Sequence, residues 1–501
     1  MGSAWDALVA HLHEVENLNM AGGLLSWDQQ VLMPVGGAVP RASQLETVGR
    51  LSHEMFTSDK TARLLDAAEA EISGAAYDSD EASLIRVVRE DYLEATKIPA
   101  ELVGEQLRVT TLAHQVWADA RAGNDFAAFA PVLSQILDIT RRIADCRGYT
   151  EHPYDALIGA YERGITSAQV KAIFDDHKPG LVKLIHAIQQ SKPVDNAMLH
   201  QAYDVEKQRA FALKMIERFG FDFQHGRQDV SVHPFANGFT KYDVRITTRF
   251  NPNFLNPALF GMFHEAGHGM YEQGVSDSVA ALPLMGSGTS LGVHESQSRL
   301  WENIVGRSEG FWAWALPQLQ EIFPEQVGRV DLQTFYRAIN RVNPSYIRVE
   351  ADEATYNLHI MLRFELEMEM IAGQVAVKDL PRVWNERFEA YLGIVPPTDT
   401  LGVLQDVHWS SGLIGYFATY ALGNMLAAQY YRKALTDKPS IPAEIAQGKF
   451  DTLLGWLRTN IHQHGRKFNG DELTRRITGE GIQSKYYLEY LQAKYGKIYG
   501  V

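Results

Sequence analysis

Residues 263–268 carry the pattern that is most informative about chemistry. They contain His264, Glu265 and His268 in an HExxH arrangement, inside an apolar helical run over residues 255–271. Residues four apart share one face of a helix, so both imidazoles can point at one zinc ion, about 2.0 to 2.1 Å from each. Glu265 can reach a metal-bound water and take its proton as general base. Because zinc lowers the pKa of that water from about 15.7 to about 7, the pattern predicts hydrolysis at neutral pH.

A catalytic zinc needs a third protein ligand and an open fourth position. Residues 292–302 are predicted to form a second helix, with Thr289 or Ser290 as its N-cap. His294 would complete a three-histidine set, whereas Glu295 would give two histidines and a glutamate, the set that suits peptide hydrolysis. The stretch after the motif lacks a further histidine, which excludes the metzincin pattern. A chance HExxH on a core helix is the plain alternative, so the context must support the motif.

Composition restricts the kind of metal site and of partner. The chain has 501 residues, of which 46% are hydrophobic and 22% charged, and a single cysteine, Cys146. One cysteine cannot build a Cys-rich zinc or iron–sulfur site, so a metal must be held by histidine and carboxylate. The formal net charge of -14 argues against binding to nucleic-acid phosphates, which needs a basic surface. A small or peptidic partner is favoured.

The N-terminus and the apolar segments predict a cytoplasmic protein without a membrane span. The first residues lack the charged start, apolar core and cleavage site of a signal peptide, and Asp6 breaks the myristoylation pattern. Residues 407–431 carry no Asp, Glu, Lys or Arg over a length that could cross a bilayer. Their polar side chains and their Gly and Ala spacing favour a buried helix instead.

Helical periodicity dominates the chain and predicts a mainly α fold. It is clear in three sets: Leu8, His11, Leu12 and Val15; Val103, Leu107, Thr110, Ala113 and Trp117; and Tyr356, Leu358, Met361, Leu362 and Phe364. Residues 242–250 are the clearest strand candidate, and residues 229–233 are predicted to pair with them as a hairpin through Asn237-Gly238. No repeat or composition break divides the chain, so we expect one domain over residues 1–501, with two lobes around a groove as one arrangement of it.

Six sequence blocks resemble the Taq-type metallocarboxypeptidases, a family of HExxH zinc carboxypeptidases. In chain order they are His233-Pro234-Phe235; Asp243-Val244-Arg245-Ile246-Thr247 (DxRxT); the HExxH segment; His294-Glu295-Ser296-Gln297; Ile347-Arg348-Val349-Glu350-Ala351-Asp352 (IRxxAD); and residues 402–409 (GxxQDxHW). Residues 27–34 and 151–156 also resemble the family, so the resemblance extends over nearly the whole chain. No motif position departs from the family's pattern.

The resemblance implies a single, mainly α domain with a deep central groove and a small β-hairpin or sheet, similar in outline to neurolysin and angiotensin-converting enzyme. It implies a metallocarboxypeptidase that releases single C-terminal residues from peptides with broad specificity, by attack of a metal-bound water that Glu265 activates. It assigns the third ligand to Glu295, beside His264 and His268, for one zinc ion per chain, with cobalt as an alternative metal. It also implies a homodimer.

An enzyme that acts at the C-terminus must recognise a free carboxylate, and the planar guanidinium of arginine suits this task because it can donate two parallel hydrogen bonds. Arg348 is the first candidate anchor and Arg245 the second. An ordinary salt bridge, to Asp352 or Asp243 for example, is the alternative for each arginine. The DxRxT strand could instead close one end of the groove and limit how far the substrate extends.

The tetrahedral intermediate of peptide hydrolysis needs an oxyanion donor besides zinc. His408 fits this role, followed by Tyr416 and Tyr420, since a histidine and a tyrosine from this region face the metal in neurolysin-like sites. A buried core position is the alternative for either tyrosine. We assign His408 and Tyr420 to catalysis and Tyr416 to substrate binding, with the choice between the tyrosines left open. Candidate acceptors for the second nitrogen of the ligand imidazoles are Asp352, Asp406 and Glu302.

Two alternatives stand beside the carboxypeptidase. The same ligand set serves aminopeptidases and oligopeptidases, but Glu272 and Glu302, the acids that would hold a substrate α-amine, lie in no recognisable motif of that kind. The other alternative is a non-catalytic helical scaffold stabilised by metal, against which only three ligands are apparent where a structural zinc has four. We therefore expect peptides with a free C-terminal carboxylate as partners, and neither nucleic acid nor membrane.

Overall fold

The computed structural model describes residues 3–501, so the part of the N-terminal prediction that concerns Met1 and Gly2 lies outside it. Helices make up 67% of the residues and surround one small sheet in a single, mainly α domain, as predicted. Within the described residues, nine α-helices precede the sheet: α1 (Ala4–Val31), α2 (Ala38–Phe56), α3 (Asp59–Glu71), α4 (Asp80–Lys97), α5 (Ala100–Gly123), α6 (Phe126–Arg147), α7 (Pro153–Ile158), α8 (Ser167–Gln189) and α9 (Val205–Phe219).

The sheet is followed by the helices that carry the predicted site. These are α10 (Leu255–Gln273), α11 (Asp277–Ala280), α12 (Leu291–Arg299), α13 (Glu309–Ile322), α14 (Pro324–Val327), α15 (Leu332–Ile339), α16 (Tyr356–Ile371) and α17 (Leu380–Leu392). The last helices are α18 (Ala418–Asp437), α19 (Ile441–Ile445), α20 (Asp451–Asn460), α21 (Gly470–Thr478) and α22 (Lys485–Tyr499). Ser290 is the N-cap of α12, since its hydroxyl accepts from the backbone N–H of Val293, and α12 continues directly into a π-helical stretch over Leu300–Val305.

The sheet consists of β1 (Gly226–Val230), β2 (Ala236–Thr240) and β3 (Asp243–Thr248), in the spatial order β1-β3-β2. β3 pairs in parallel with β1 and antiparallel with β2. The predicted hairpin is therefore wrong in detail, because residues 229–230 join the sheet in parallel and Asn237-Gly238 lies inside β2. Gly238 serves a close approach rather than a turn: a Cβ there would lie 2.9 Å from Cγ of Glu272 on α10.

The predicted helical faces are buried in two of the three periodic sets. Leu8, Leu12 and Val15 on α1 and the whole set on α16 are buried. The third set lies on α5, a helix as predicted, but Val103 and Leu107 are 46% and 67% exposed because that side of α5 faces solvent. The buried helix predicted within residues 407–431 begins only at α18, and among residues 3–501 no helix is long and apolar enough to cross a membrane.

Within residues 3–501, buried apolar side chains form one large cluster, a second, smaller one, and a third of Leu102, Ile139 and Ile143. The large cluster contains the apolar sides of α10, α12, α16 and α18. The second cluster joins side chains of α1, α3 and α4 to Val275, Val279 and Met285, which lie in the connection between α10 and α12. The two helices that carry the predicted metal ligands thus pack in the large cluster, while the segment that joins them packs against the N-terminal helices.

Candidate metal centre

His264 and His268 on α10 and Glu295 on α12 present their ligand atoms to one point. The three atoms lie within 4.8 Å of one another. The Nε2 atoms of His264 and His268 lie 3.5 and 3.4 Å from the same carboxylate oxygen, Oε2 of Glu295. Two imidazoles and one carboxylate are the donor set of hydrolytic zinc sites, so these residues fit a metal ion with an open coordination position.

Close packing at glycines brings the two ligand helices together. At Gly267 on α10, a Cβ would lie 2.6 Å from the carbonyl oxygen of Gln297 and from Cα of Ser298 on α12. At Gly423 on α18, a Cβ would lie 2.5 Å from Cγ of Glu295. Glycine is therefore required on both sides of α12, since any larger residue would displace the helix that carries the third donor.

A buried ionic network holds Glu295 and His264. Arg299, one turn after Glu295, donates to it over 2.6 Å and also to Glu302 over 3.2 Å. Oε2 of Glu302 lies 2.9 Å from Nδ1 of His264, so the acceptor predicted at Glu302 is present. Burial alone would raise the pKa of Glu295, but Arg299 and His264 hold that pKa well below its ordinary value. Glu295 is therefore an anion at neutral pH, as a metal ligand must be.

His268, the second candidate ligand histidine, is held through another histidine. Nδ1 of His268 lies 2.5 Å from Nδ1 of His294, and Nε2 of His294 lies 2.6 Å from Oε1 of Glu272. His294 is thus engaged with its neighbours on α10 through both ring nitrogens. Glu295, the following residue, is the one that faces the two Nε2 atoms.

Glu265 lies beside this centre and is only 6% exposed. Burial raises its pKa from 4.5 to about 7, with His264 acting in the opposite direction and Glu295 adding to the rise. A general base works best when its pKa is near the operating pH, because it is then available and still strong enough to take a proton. The environment of Glu265 suits proton transfer at neutral pH.

The two candidate anchor arginines differ in their partners. Arg245 donates through Nε and one terminal nitrogen to both oxygens of Asp243, each over 2.8 Å, and its guanidinium lies over the ring of Trp27. Arg348 donates through Nε to Asp406 over 3.0 Å and through one terminal nitrogen to the hydroxyl of Tyr356 over 3.1 Å. Arg245 therefore forms the salt bridge to Asp243 that was the alternative to a role as anchor. Arg348 also forms a salt bridge, but its partner is Asp406 instead of Asp352.

His408, Tyr416 and Tyr420 cluster near Arg348. The ring centroids of His408 and Tyr416 are 5.6 Å apart, and those of Tyr416 and Tyr420 are 5.3 Å apart. The Arg348 guanidinium lies 5.3 Å from the Tyr420 ring. Burial lowers the pKa of His408 to about 4, so its imidazole is neutral at neutral pH and can donate an N–H. This cluster could donate to a developing negative charge.

Tyr356 connects this cluster to the metal ligands and was missed from the sequence, as was Arg299. The guanidinium of Arg299 lies 4.5 Å from the centre of the Tyr356 ring, and the Tyr356 hydroxyl accepts from Arg348. The spacing of Glu295, Arg299 and Glu302 was the available signal, because residues at i, i+4 and i+7 share a helical face. The sequence held no comparable signal for Tyr356, because Arg299 and Arg348 lie on other elements and helical spacing does not relate them to it.

Two of the three predicted acceptors for the ligand imidazoles are wrong. Asp406 lies between Arg348 and Arg363, which neutralise it in a buried site. Asp352 accepts backbone N–H groups of residues 343, 354 and 355 and so organises its own loop. Aspartates in a motif that surrounds a site can support arginines and loops as readily as metal ligands, and spacing alone does not separate these roles.

Comparison with known proteins gives matches over the full length. The sequence profile of the family described as carboxypeptidase Taq (M32) metallopeptidase matches residues 7–495. Thermostable carboxypeptidase 1 of Thermus thermophilus is 39% identical over 509 aligned residues, covering 99% of this chain and 99% of that protein. Carboxypeptidase 1 of Bacillus subtilis is 37% identical over 493 residues, covering 97% of each protein.

Solved structures also match over nearly the full length of the chain. The M32 carboxypeptidase of Deinococcus radiodurans R1 has a TM-score of 0.97 and 41% sequence identity, covering 99% of this chain and 100% of that chain. A carboxypeptidase structure from Pyrococcus furiosus has a TM-score of 0.95 and 34% identity, covering 99% of each chain. Sequence and fold therefore agree over the whole chain, including the helices that carry the metal centre.

Proposed function

Since the chain belongs to the carboxypeptidase Taq (M32) metallopeptidase family, we propose that it is a zinc-dependent carboxypeptidase that releases single C-terminal residues from peptides with broad specificity. The convergence of His264, His268 and Glu295 beside the buried Glu265 carries this proposal. Family membership alone supports a metallocarboxypeptidase. The choice of zinc, one ion per chain with cobalt as an alternative, is supported by the two-histidine, one-carboxylate donor set.

In this proposal His264, His268 and Glu295 hold the metal and Glu265 moves the proton. A bound zinc ion would act as a Lewis acid that polarises the scissile carbonyl and lowers the pKa of a water. Glu265 takes the proton of that water and passes it to the leaving amine. Burial excludes bulk water from Glu265, which keeps its pKa near 7 and matches it to both transfers.

The substrate carboxylate is assigned to Arg348. The hydrogen bonds that Arg348 makes within residues 3–501 engage Nε and one terminal nitrogen, and the other terminal nitrogen is available to a ligand. Asp406 pairs with both Arg348 and Arg363, so the group of two arginines and one aspartate retains a net positive charge. Arg245 is the second candidate, and its bidentate bond to Asp243 makes it a wall of the groove in preference to an anchor.

His408 and Tyr420 are assigned to stabilisation of the oxyanion, and Tyr416 to binding of the substrate. The neutral imidazole of His408 and the phenol hydroxyls are uncharged donors, which can bind a developing oxyanion without first losing a strong ion pair. Tyr416 is close enough to Glu295 for that carboxylate to add to the effect of burial, which raises the pKa of Tyr416. The tyrosine therefore stays protonated as a donor.

The setting of the enzyme completes the proposal. We assign it to the cytoplasm and expect a homodimer that acts on peptides with a free C-terminal carboxylate. Deep burial of Glu265 supports small or unfolded substrates, since a folded protein could not bring its chain to that carboxylate.

A released-residue assay on zinc-loaded protein tests this function. N-blocked tripeptides with a free C-terminus should lose single residues, whereas the same peptides with a C-terminal amide should survive. Glu265→Gln should lower kcat by several orders of magnitude with zinc content unchanged, because the ligands are intact and only the base is lost. The matched control is Glu101→Gln, at an exposed position in the first turn of α5, which should retain full activity.

The opposite substrate pattern would overturn the proposal. If the N-blocked, C-amidated peptides are cut while those with a free carboxylate are not, the enzyme is an oligopeptidase. If only peptides with a free N-terminus are cut, it is an aminopeptidase. Full activity in Glu265→Gln would exclude the assigned mechanism. Zinc binding without hydrolysis of any peptide would favour the metal-stabilised scaffold.

A further inference from the structure

The second nitrogen of each ligand histidine is held in a different way. His264 uses the direct arrangement, with Nδ1 at 2.9 Å from the carboxylate of Glu302. His268 reaches its carboxylate through an intervening imidazole: its Nδ1 lies 2.5 Å from Nδ1 of His294, whose Nε2 lies 2.6 Å from Oε1 of Glu272. The chain His268–His294–Glu272 therefore contains two hydrogen bonds where the other ligand has one.

Chemistry fixes the direction of both hydrogen bonds. A histidine that binds a metal through Nε2 carries its proton on Nδ1, so His268 must donate and His294 must accept through an unprotonated Nδ1. Neutral His294 then carries its proton on Nε2, where the carboxylate of Glu272 accepts it. The other tautomer of His294 would set two N–H groups against each other. Glu272 thus selects the tautomer of His294, and His294 selects the tautomer of His268.

Packing leaves the His294 ring little freedom to turn away. A Cβ at Gly288 would lie 2.5 Å from Cδ2 of His294, and the ring of Tyr271 packs near the His294 ring, with the ring centroids 5.1 Å apart. Glu272 is held in turn by Gly238 of β2, where a Cβ would meet it at 2.9 Å, and it is 7% exposed. Rings held by packing as well as by hydrogen bonds define a ligand direction closely.

We propose that His294 and Glu272 are positioning residues that hold His268 in the tautomer and orientation needed for metal binding. This inference rests on the metal site of the proposed function. It gives His294, the residue before the third ligand, a role of its own. His294 accepts the hydrogen bond of His268 and is itself oriented by the carboxylate of Glu272, so Glu272 acts on His268 through His294.

Two substitutions of His294 separate its two hydrogen bonds. In His294→Asn, the amide oxygen takes the place of Nδ1 and still accepts from His268, but the side chain is too short for Glu272. In His294→Gln, the amide nitrogen takes the place of Nε2 and still donates to Glu272, while the acceptor for His268 is lost. Glu272→Ala keeps the imidazole and removes the group that selects its tautomer. The control is His177→Gln, which removes a buried imidazole that has no hydrogen-bond partner within residues 3–501.

The readouts are the zinc dissociation constant from chelator competition, the visible spectrum of the cobalt-loaded protein, and kcat and KM. Loss of such an outer partner typically weakens metal binding about 10- to 100-fold. We expect this loss in His294→Gln and Glu272→Ala, with a shifted cobalt spectrum and a fall in kcat at nearly constant KM. We expect His294→Asn to keep zinc affinity within about threefold of wild type, as the bond to His268 persists.

Equal zinc affinities and cobalt spectra in wild type, His294→Gln and Glu272→Ala would overturn the relay. So would a loss in His294→Asn as large as in His294→Gln, since the bond to His268 would then be irrelevant. If the His294 variants do not fold by circular dichroism, Glu272→Ala decides alone, because it leaves every ring in place. A wild type that binds no zinc would refute the proposed function itself, whereas a zinc-dependent wild type with unaffected variants refutes only the relay.

Discussion

Arg348, the first candidate anchor for the substrate carboxylate, and Arg245, the second, differ in the partners of their guanidinium groups. Both lie in motifs of one family, and both form an ion pair with an aspartate. Arg245 donates through Nε and one terminal nitrogen to both oxygens of Asp243, and its guanidinium lies close to the rings of Trp27 and Phe239. Arg348 makes single bonds to two different groups and lies beside Tyr420. The geometry favours Arg348 as the residue with capacity left for a ligand.

We predict that Arg348→Lys weakens binding of the substrate carboxylate. Lysine keeps the positive charge beside Asp406 but cannot donate two parallel hydrogen bonds to a carboxylate. A lost charged hydrogen bond is worth about 1.5 to 3 kcal/mol, so kcat/KM on free-carboxylate peptides should fall roughly 10- to 100-fold, mainly through KM. Steady-state kinetics on N-blocked tripeptides measure this. Arg245→Lys is the matched comparison, and a larger rise in KM there than in Arg348→Lys would reverse the assignment.

At the scale of single elements, the sequence predicts what periodic burial determines and fails where distant groups decide. The α10 run and the Ser290 cap follow from local pattern and were predicted. The start of α18 was not predicted, because residues 407–417 are held in turns by Glu367, whose carboxylate accepts from Trp409 and from the backbone of Gly415. The prediction for the sheet was wrong because Gly238 allows the close approach of Glu272 on α10 and does not form a turn. Local sequence rules cannot predict such a distant contact.

The same reasoning explains how much of the site could be predicted. Spacing within α10 gave His264, Glu265 and His268 as candidates, and spacing within α12 contained the signal for Arg299. The contact of His294 with Glu272 depends on the relative placement of α10 and α12, which pattern does not give. Whether the domain forms two lobes around a groove stays a prediction.

We predict that Gly423→Ala displaces α12 and weakens metal binding. The added Cβ would lie 2.5 Å from Cγ and 2.6 Å from Cβ of Glu295, closer than real Cβ contacts, and α18 is buried against α12 there. Overpacking of this kind costs about 1 to 3 kcal/mol, so we expect zinc affinity to fall roughly 10-fold or more, with a lower thermal midpoint. Chelator competition and thermal unfolding check both effects.

The control for this substitution is Gly455→Ala on α20, where an added Cβ meets nothing within 4 Å. Alanine has the higher helix propensity, so this control should leave stability unchanged or raise it by up to about 1 kcal/mol. If Gly423→Ala binds zinc as tightly as the control, α18 does not set the position of Glu295.

At the scale of the whole molecule, the N-terminal helices brace the connection between the two ligand helices. Leu284 in that connection adopts φ 64, a left-handed conformation that costs a non-glycine residue about 1 to 2 kcal/mol. Its backbone N–H donates to Glu16 on α1 over 2.9 Å, and its carbonyl accepts from Arg466 over 2.9 Å. Arg466 also donates to both oxygens of Asp91 on α4, which is shared with Arg163. The strained residue is thus held from two distant parts of the chain.

We predict that Asp91→Asn loosens this brace. Asparagine keeps the shape of the side chain but removes the charge that holds two partly buried arginines, which should cost roughly 1 to 3 kcal/mol of local stability. Backbone hydrogen exchange should therefore rise in α4 and in residues 275–288, with little change in α16 and α18, because these pack in the larger apolar cluster. Asp138→Asn is the control, since its carboxylate is 68% exposed and 4.0 Å from Arg142. Equal exchange in the two variants would mean that the connection between α10 and α12 is held by its apolar contacts alone, and that the ionic brace contributes nothing to the placement of the metal ligands.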